Sequence, residues 1–310
     1  MARRHKIKLI LILFFILDNG TSFASSCCGG GASGSNLIMA DNLAQASFSY
    51  VNQVDSLQVT DTGSAIALGE DTRQIQEFIH LSYAQLFLDF WQWNVSIPFQ
   101  QNTNSTPNGR LSEQGVGDVA VGVAYEFLPE LEYSVWKPRG WFSVTVVAPT
   151  GRSRYSAHLN YGLDTFGLGL WQNIYGFHFS KNLADWDFLV ETSFNHRIQR
   201  KFNVGEQQNR VSLGEVIRTA LSLGWSPAKS ASRIGAQFEH FYQGHSISYY
   251  EDEKIQSGVS RWTRFGINYS YRWTNINVTL NYFDETLLGP TENKLLARGV
   301  SFSSQYFWPL

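Results

Sequence analysis

The chain has 310 residues, 43% of them hydrophobic and 15% aromatic, with a formal charge of −2. That near-neutral balance, with no basic stripe or aromatic-basic cluster, excludes a nucleic-acid binder, and two adjacent cysteines, Cys27 and Cys28, cannot close a disulfide framework. No apolar run past residue 17 approaches the about 20 residues that a spanning helix needs, which excludes helical membrane spans.

Residues 1–24 have the three parts of a secretory signal. Arg3, Arg4, Lys6 and Lys8 form a basic start, Leu9 to Leu17 an apolar run, and Ser22-Phe23-Ala24 a small-residue cleavage site. Cleavage is expected after Ala24. A lipoprotein signal acylated at Cys27 is the competing reading, but "ASSC" lacks the large aliphatic residue expected three positions earlier. Past residue 24 the chain carries 20 basic and 25 acidic residues, a formal charge of −5. Residues 25–44, rich in Gly and Ser around "SCCGGGASGSN", are expected to be a flexible leader, and residues 45–310 a single domain.

Beyond the leader the dominant pattern is alternation. "DFWQWNVSIPFQ" (89–100) places Trp91, Trp93, Val95, Ile97 and Phe99 on one face and Gln92, Asn94 and Ser96 on the other. "GVGDVAVGVAYEF" (115–127), "TRFGINYSYRW" (263–273) and "NINVTLNYF" (275–283) repeat the pattern. Noisier versions cover 142–148, 165–179, 186–199, 215–225 and 233–242, with weaker strands at 45–54 and 74–87 and a last one at 298–310. That gives twelve strands. Connections after the odd strands are long and polar; those after the even strands are mostly short, "LPELEYSVWKPRG" excepted. Long loops at one rim and short turns at the other, with an even strand count, predict an all-β fold: a transmembrane antiparallel barrel in an up-and-down meander, with its oily face toward lipid. The predicted location is the cell outer membrane.

Charge placement agrees. Asp118, Glu126, Glu191, Arg218, Glu239, Arg264 and Arg272 fall on the polar face of their strands, where they line the lumen and are candidates for solute or ion selectivity. On the lipid face each Lys or Arg near the midplane would cost about 2–4 kcal/mol. Trp91, Trp93, Trp141, Trp186, Trp225, Trp273 and Trp308 lie near strand ends and are the expected membrane-interface girdle. The C-terminus "GVSFSSQYFWPL" puts Val300, Phe302, Tyr306, Trp308 and Leu310 on one face, like the terminal signal read by the barrel assembly machinery.

"GVGDVAVGVAYEF", then "VVAPTGRSRYSA" and "GLDTFGLGL", resemble the outer-membrane transporter family named after the meta-pathway of phenol degradation. Gly115, Gly117 and Asp118 match its G-x-G-D strand, and Pro149, Thr150 and Gly151 its P-T-G turn. The resemblance implies uptake of aromatic hydrocarbons. Read from the residues alone, Gly115, Gly117, Gly122, Gly167 and Gly169 give room for strand bends that close a barrel, and Asp118 is expected to pair with a lumen arginine.

The expected function is a passive channel or facilitator for small solutes, in uptake or efflux. Its expected surroundings are outer-membrane lipid and lipopolysaccharide. Gate candidates are the leader from Ser25 to Asn42 and the loops near 55–73 and 150–163. One alternative is a phospholipase-like hydrolase drawing on Asn195 and His196 or on His245 and Ser246. Another is a structural or adhesive barrel. His80, His158, His178, His240 and His245 make no metal-ligand spacing and no phosphate-binding loop is present, so no cofactor or metal is expected.

Overall fold

The computed structural model describes residues 36–39, 41–69, 73–106, 109–159, 162–204, 207–227, 230–250, 253–289 and 291–309. The signal segment, Cys27, Cys28 and Leu310 lie outside the described residues. In chain order the strands are β1 (Asn42–Val59), β2 (Ala65–Ala67), β3 (Gln74–Leu88), β4 (Trp91–Thr106), β5 (Gly109–Val116), β6 (Val119–Leu128), β7 (Arg139–Ala148), β8 (Gln172–Leu183) and β9 (Trp186–Arg197). They continue as β10 (Arg200–Val204), β11 (Gln207–Ser212), β12 (Val216–Trp225), β13 (Ser232–Gln243), β14 (Ile247–Tyr250), β15 (Glu253–Gln256), β16 (Ser260–Trp273), β17 (Ile276–Asp284) and β18 (Lys294–Pro309).

Twelve of these close an antiparallel barrel in the order β1-β3-β4-β6-β7-β8-β9-β12-β13-β16-β17-β18, and β18 pairs back with β1. The closing register runs from Asn42 opposite Pro309 to Val59 opposite Lys294. Closure satisfies the two strand edges that an open sheet would leave bare in lipid. The twelve strands match the expected count and the meander, with β5 a continuation of β6 above a break at Gly117-Asp118. At the short-turn rim two of the turns hold Ala184 and Thr274 at φ 50, the left-handed geometry that reverses a chain within two residues.

Every wall strand keeps its apolar side outward. On β4 the outward series runs from Trp91 to Phe99 and then turns polar at Gln101. On β3, Glu77 lies opposite Gln101 and accepts hydrogen bonds from Tyr50 and Asn52 at the same level. The band between is as tall as the 9–11 tilted residues a bilayer core requires. Val121, Phe177, Val190, Leu221, Ile267, Leu280 and Phe302 are exposed on the same outer surface. Asn94, Ser180, Asn268, Ser270, Asn277, Thr279, Ser301 and Ser303 are buried on the inner one.

Four expectations change. Residues 36–39, placed in a flexible leader, lie inside the bore with Leu37, Ile38 and Met39 buried, and β1 begins at Asn42. The strand expected over 165–179 starts only at Gln172, because Phe166, Leu168 and Leu170 alternate with glycines inside an inward loop rather than in the wall. In the loop near 55–73, the described residues extend the wall instead of forming a gate: β1 runs on to Val59 and pairs with β2 and β18 above the band. Above the rim, β10, β11, β14 and β15 form a separate four-stranded sheet from two segments read in sequence as polar loops.

Candidate functional site

The site is the barrel interior, occupied at three levels. At the short-turn rim the segment 36–39 crosses the bore. The Ile38 N–H donates to Gln92 Oε1 at 2.6 Å and Gln92 Nε2 returns a bond to the Ile38 carbonyl at 3.3 Å. Arg139 donates to the Met39 carbonyl at 3.2 Å and to Asp41 at 3.0 Å. Leu37 and Met39 pack with Ala124, Trp141 and Leu189. Three consecutive residues, Leu37, Ile38 and Met39, thereby bury their apolar side chains and pair the Ile38 N–H and all three carbonyls, which makes the segment a plug.

Trp141, expected in the outer girdle, is not there. It is opposite Glu126 on the inner face and 1% exposed, because β7 enters one residue out of phase with a girdle position: Phe142, Val144 and Val146 face outward, and Trp141, Ser143 and Thr145 inward. The other six tryptophans point outward at the short-turn rim, paired with neighbours: Trp91 with Tyr125 at 4.8 Å, Trp93 with Tyr83 at 5.5 Å, Trp186 with Trp225 at 6.5 Å and Trp308 with Tyr306 at 4.7 Å, while Trp273 stands free of the wall.

At mid-height four of the seven expected charged residues, Glu191, Arg218, Glu239 and Arg264, meet in one chain of ion pairs, whereas Glu126 pairs separately beside the plug. Glu126 is held bidentately by Arg139, at 2.8 and 3.1 Å. Arg218 joins Glu191 and Glu239 at 3.1 Å each, and Arg264 joins Glu285 at 2.7 Å and Glu239 at 4.0 Å. Arg272 faces the same bore, its guanidinium 5.4 Å from the Phe307 ring. Sequence reasoning missed Arg139, Glu285 and the buried pair Arg233–Asp187, bidentate at 2.7 and 2.6 Å. Arg139, Arg233 and Asp187 sit on the polar phase of their strands, which is a readable signal, but Arg139 and Asp187 are too close to a strand end for alternation to place them, and Glu285 lies one residue past β17.

His178 also belongs to this layer. Its ring bonds Ser143 Oγ at 3.0 Å and Glu191 at 3.3 Å. A hydroxyl, imidazole and carboxylate in that order have the roles of a nucleophilic triad. Here Glu191 is shared with Arg218, and a substrate carbonyl would have to reach a hydroxyl on a residue 8% exposed, so the trio reads as a polar strut across the wall. The residues proposed in sequence for hydrolysis are not brought together: Asn195 bonds Gln172, His196 bonds Glu215, His245 bonds the Ser257 carbonyl, and Ser246 bonds the Gly214 N–H.

At the loop rim the segment between β7 and β8 folds into the bore. Asp118 does not pair with an arginine, as expected, but accepts the N–H groups of Gly151 at 2.9 Å and Leu168 at 2.8 Å. Thr150 donates its hydroxyl to the Gly117 carbonyl at 2.8 Å and accepts the Val119 N–H at 3.0 Å. Asn102 on β4 donates to the carbonyls of Leu163 and Thr165, both at 2.9 Å. The glycines are explained by this loop rather than by strand bends: a Cβ on Gly115 would enter the Phe166 ring, one on Gly117 would press on Pro98 and the Phe166 carbonyl, and Gly169 takes φ +72. Gly122 leaves room for the inner side chains of Asn94 and Thr145.

Asp164 anchors the loop from within. Burial alone would raise its carboxyl, but the His158 N–H, the Arg152 guanidinium and the Leu159 N–H outweigh that and hold it below the usual carboxylate range. Between this loop and the inner faces of β3 and β4 lies a cavity of about 840 Å³, lined by Gln76, Phe78, His80, Gln100, Leu159 and Phe166 among others. Among the described residues no group of three His, Cys, Asp or Glu could hold a metal ion.

No protein-family model matches the chain, and no curated protein matches it in sequence. Among solved structures, an outer membrane channel from Pseudomonas putida F1 superposes with a TM-score of 0.67 at 11% identity, over 88% of this chain and 98% of that one. The toluene transporter TodX of Pseudomonas putida gives a TM-score of 0.43 at 10% identity, over 86% of this chain and 88% of that one. The translocator domain of the autotransporter NalP from Neisseria meningitidis gives 0.46 at 9% identity, over 99% of this chain and 96% of that one. The first likeness shows the fold, a membrane-spanning β-barrel of the outer-membrane type, and at 11% identity it shows the fold alone.

Proposed function

We propose that the protein is a passive outer-membrane channel or facilitator for small solutes, gated by its plug and its inward loop. The observation that carries this reading is the cavity of about 840 Å³, with polar and apolar lining, at the loop rim of a barrel whose outer band is apolar. A solute entering there meets the ion-pair layer and then the segment 36–39, so passage requires that plug to yield. The seven charged positions Asp118, Glu126, Glu191, Arg218, Glu239, Arg264 and Arg272 would set selectivity at close quarters. The outward tryptophans Trp91, Trp93, Trp186, Trp225, Trp273 and Trp308 would mark the periplasmic interface with lipid, and lipopolysaccharide would face the loop rim. The outward Phe302, Tyr306 and Trp308 of β18 would present the assembly signal to the barrel machinery.

The meta-pathway family is the favoured affiliation. Its Gly115-x-Gly117-Asp118 and Pro149-Thr150-Gly151 motifs meet in one latch that holds the inward loop, a single physical reason for the two to occur together. Aromatic or otherwise hydrophobic solutes are the class that affiliation suggests, and the Pseudomonas channel with the matching fold supports transport in general.

The test is conductance in planar bilayers, comparing the full mature chain with a variant lacking residues 25–41. Intermittent small currents are expected from the first and larger, steadier ones from the second. Silence from both, with each folded by heat-modifiable gel mobility, would overturn the channel reading.

A further inference from the structure

The cavity at the loop rim has a mixed lining, with Leu159, Phe166 and Leu168 on the loop side and polar groups on the wall. Its β3–β4 wall carries carboxamides: Gln74 and Gln76 on β3, Gln100 and Asn102 on β4, with Gln76 directly opposite Asn102 and Phe78 opposite Gln100. Below them Phe78 and His80 lie nearly parallel, with ring centroids 6.1 Å apart and planes at 22°. One wall therefore offers a flat ring surface bordered by neutral hydrogen-bonding groups.

The hydrogen-bond inventory shows what those amides have left to give. Asn102 is spent, donating both N–H bonds to the loop carbonyls and accepting from Gln100 Nε2 at 2.7 Å. Gln76 accepts from Gln53 at 2.8 Å, which leaves its two N–H donors. Gln100 keeps its carbonyl oxygen. Donors and an acceptor thus stand beside each other without net charge. Among its described residues the β3–β4 wall of the cavity carries no charged side chain: Asp118 is committed to the loop N–H groups, and Arg154 stands on the loop side, over the Tyr155 ring at 5.4 Å.

A hydrocarbon seated here would strip water from these amides and replace none of their bonds, at about 1–3 kcal/mol for each group left unpaired. A fixed anion or cation would find no counter-charge on the wall. The solute that repays both halves is neutral, carries adjacent hydroxyls and has one C–H-rich face to lie on the rings. We infer that the loop-rim cavity is a binding site for a neutral polyhydroxylated solute of mono- to disaccharide size. The volume suits such a ligand, since small-molecule sites span about 300–1,000 Å³. This rests on the channel reading in that the site lies on its proposed path, and it assigns that path a polar solute in place of the hydrophobic class that the family affiliation suggests.

The experiment measures binding and permeation separately, on the full mature protein in detergent and in liposomes. Glucose, maltose and sucrose are the probes for binding, by calorimetry or saturation-transfer NMR at millimolar concentrations, with phenol as the comparison. At least one sugar is expected to bind. Gln76→Ala and Gln100→Ala are each expected to weaken that sugar about three- to tenfold, the loss of one hydrogen bond of about 0.5–1.5 kcal/mol. Both side chains line the cavity and each also makes one contact within the wall, so heat-modifiable mobility verifies folding of the variants.

Binding of none of the three sugars by the folded wild-type protein would overturn the inference. So would binding that both variants leave unchanged. Permeation reads the other question: bilayer currents or liposome swelling without any sugar binding leave the channel reading standing and remove this one. Sugar binding in a barrel that passes nothing does the reverse.

Discussion

The carboxylate of Asp118 occupies the space where any residue other than glycine at position 167 would carry its Cβ. Segments 33 and 50 residues away in sequence are joined to Asp118 there, because the same carboxylate accepts the N–H of Gly151 at 2.9 Å and of Leu168 at 2.8 Å. The inward loop is held by the fit of one acid into a gap that only glycine leaves.

Gly167→Ala is therefore expected to push the loop out of its seat while leaving the barrel intact. Asp118→Asn is expected to act in the same direction but less strongly, since an amide keeps one acceptor oxygen and turns the other into a donor facing an N–H. Faster liposome swelling with unchanged heat-modifiable mobility is the expected result for both, with the larger change for the glycine variant.

The loop has a second anchor with a definite pH dependence. Asp164 is depressed below the usual carboxylate range. A depressed acid contributes stability that is present above its unfolded value, near 3.9 for Asp, and is lost as pH falls through the lower folded value. The currents of the wild-type channel should thus be insensitive to Asp164 between pH 7 and about 5, and the loop should loosen only in stronger acid, below about 4. Asp164→Asn should remove that acid-side step, which current noise recorded across a pH series would reveal.

The ion-pair layer has an asymmetric stability signature. Removing Arg218 alone leaves Glu191 and Glu239 without their shared partner, each only 4% exposed in its side chain. Uncompensated buried charge typically costs about 3–5 kcal/mol, whereas exchanging a whole buried network for neutral groups is often close to neutral. Arg218→Met should lower the unfolding temperature markedly, and the triple exchange with Glu191→Gln and Glu239→Gln should recover much of it. A triple variant as unstable as the single would show that packing of Arg218, rather than its charge, is what counts.

Strand alternation made the wall legible in sequence, because burial on one side and lipid on the other both act with period two. The inner charges followed from the same phase. What alternation does not encode is which inner residues touch, since Arg218 reaches Glu191 and Glu239 across neighbouring strands whose register only the closed barrel fixes. The plug was hidden for a different reason: Leu37, Ile38 and Met39 are too few to show any period, and their partners Gln92 and Arg139 are 54 and 100 residues away. The segment 165–171 misled outright, since Phe166, Leu168 and Leu170 between glycines imitate a strand while serving as loop contacts.

Trp141 offers the sharpest contrast with the other tryptophans, and it tests the inside-out arrangement directly. It is 1% exposed beneath Leu37 and Met39, with the Arg139 guanidinium 5.2 Å from its ring, whereas Trp186 is 46% exposed on the outer surface. In single-tryptophan variants reconstituted with brominated lipid, fluorescence from Trp186 should be quenched strongly and that from Trp141 hardly at all. Trp141→Ala should also destabilise the plug, since large-to-small changes at buried tryptophans cost about 3–5 kcal/mol. Currents from that variant should then approach those of the chain lacking its leader. Equal quenching at the two positions would mean that β7 faces the bilayer with the opposite phase, and the plug would lose its floor.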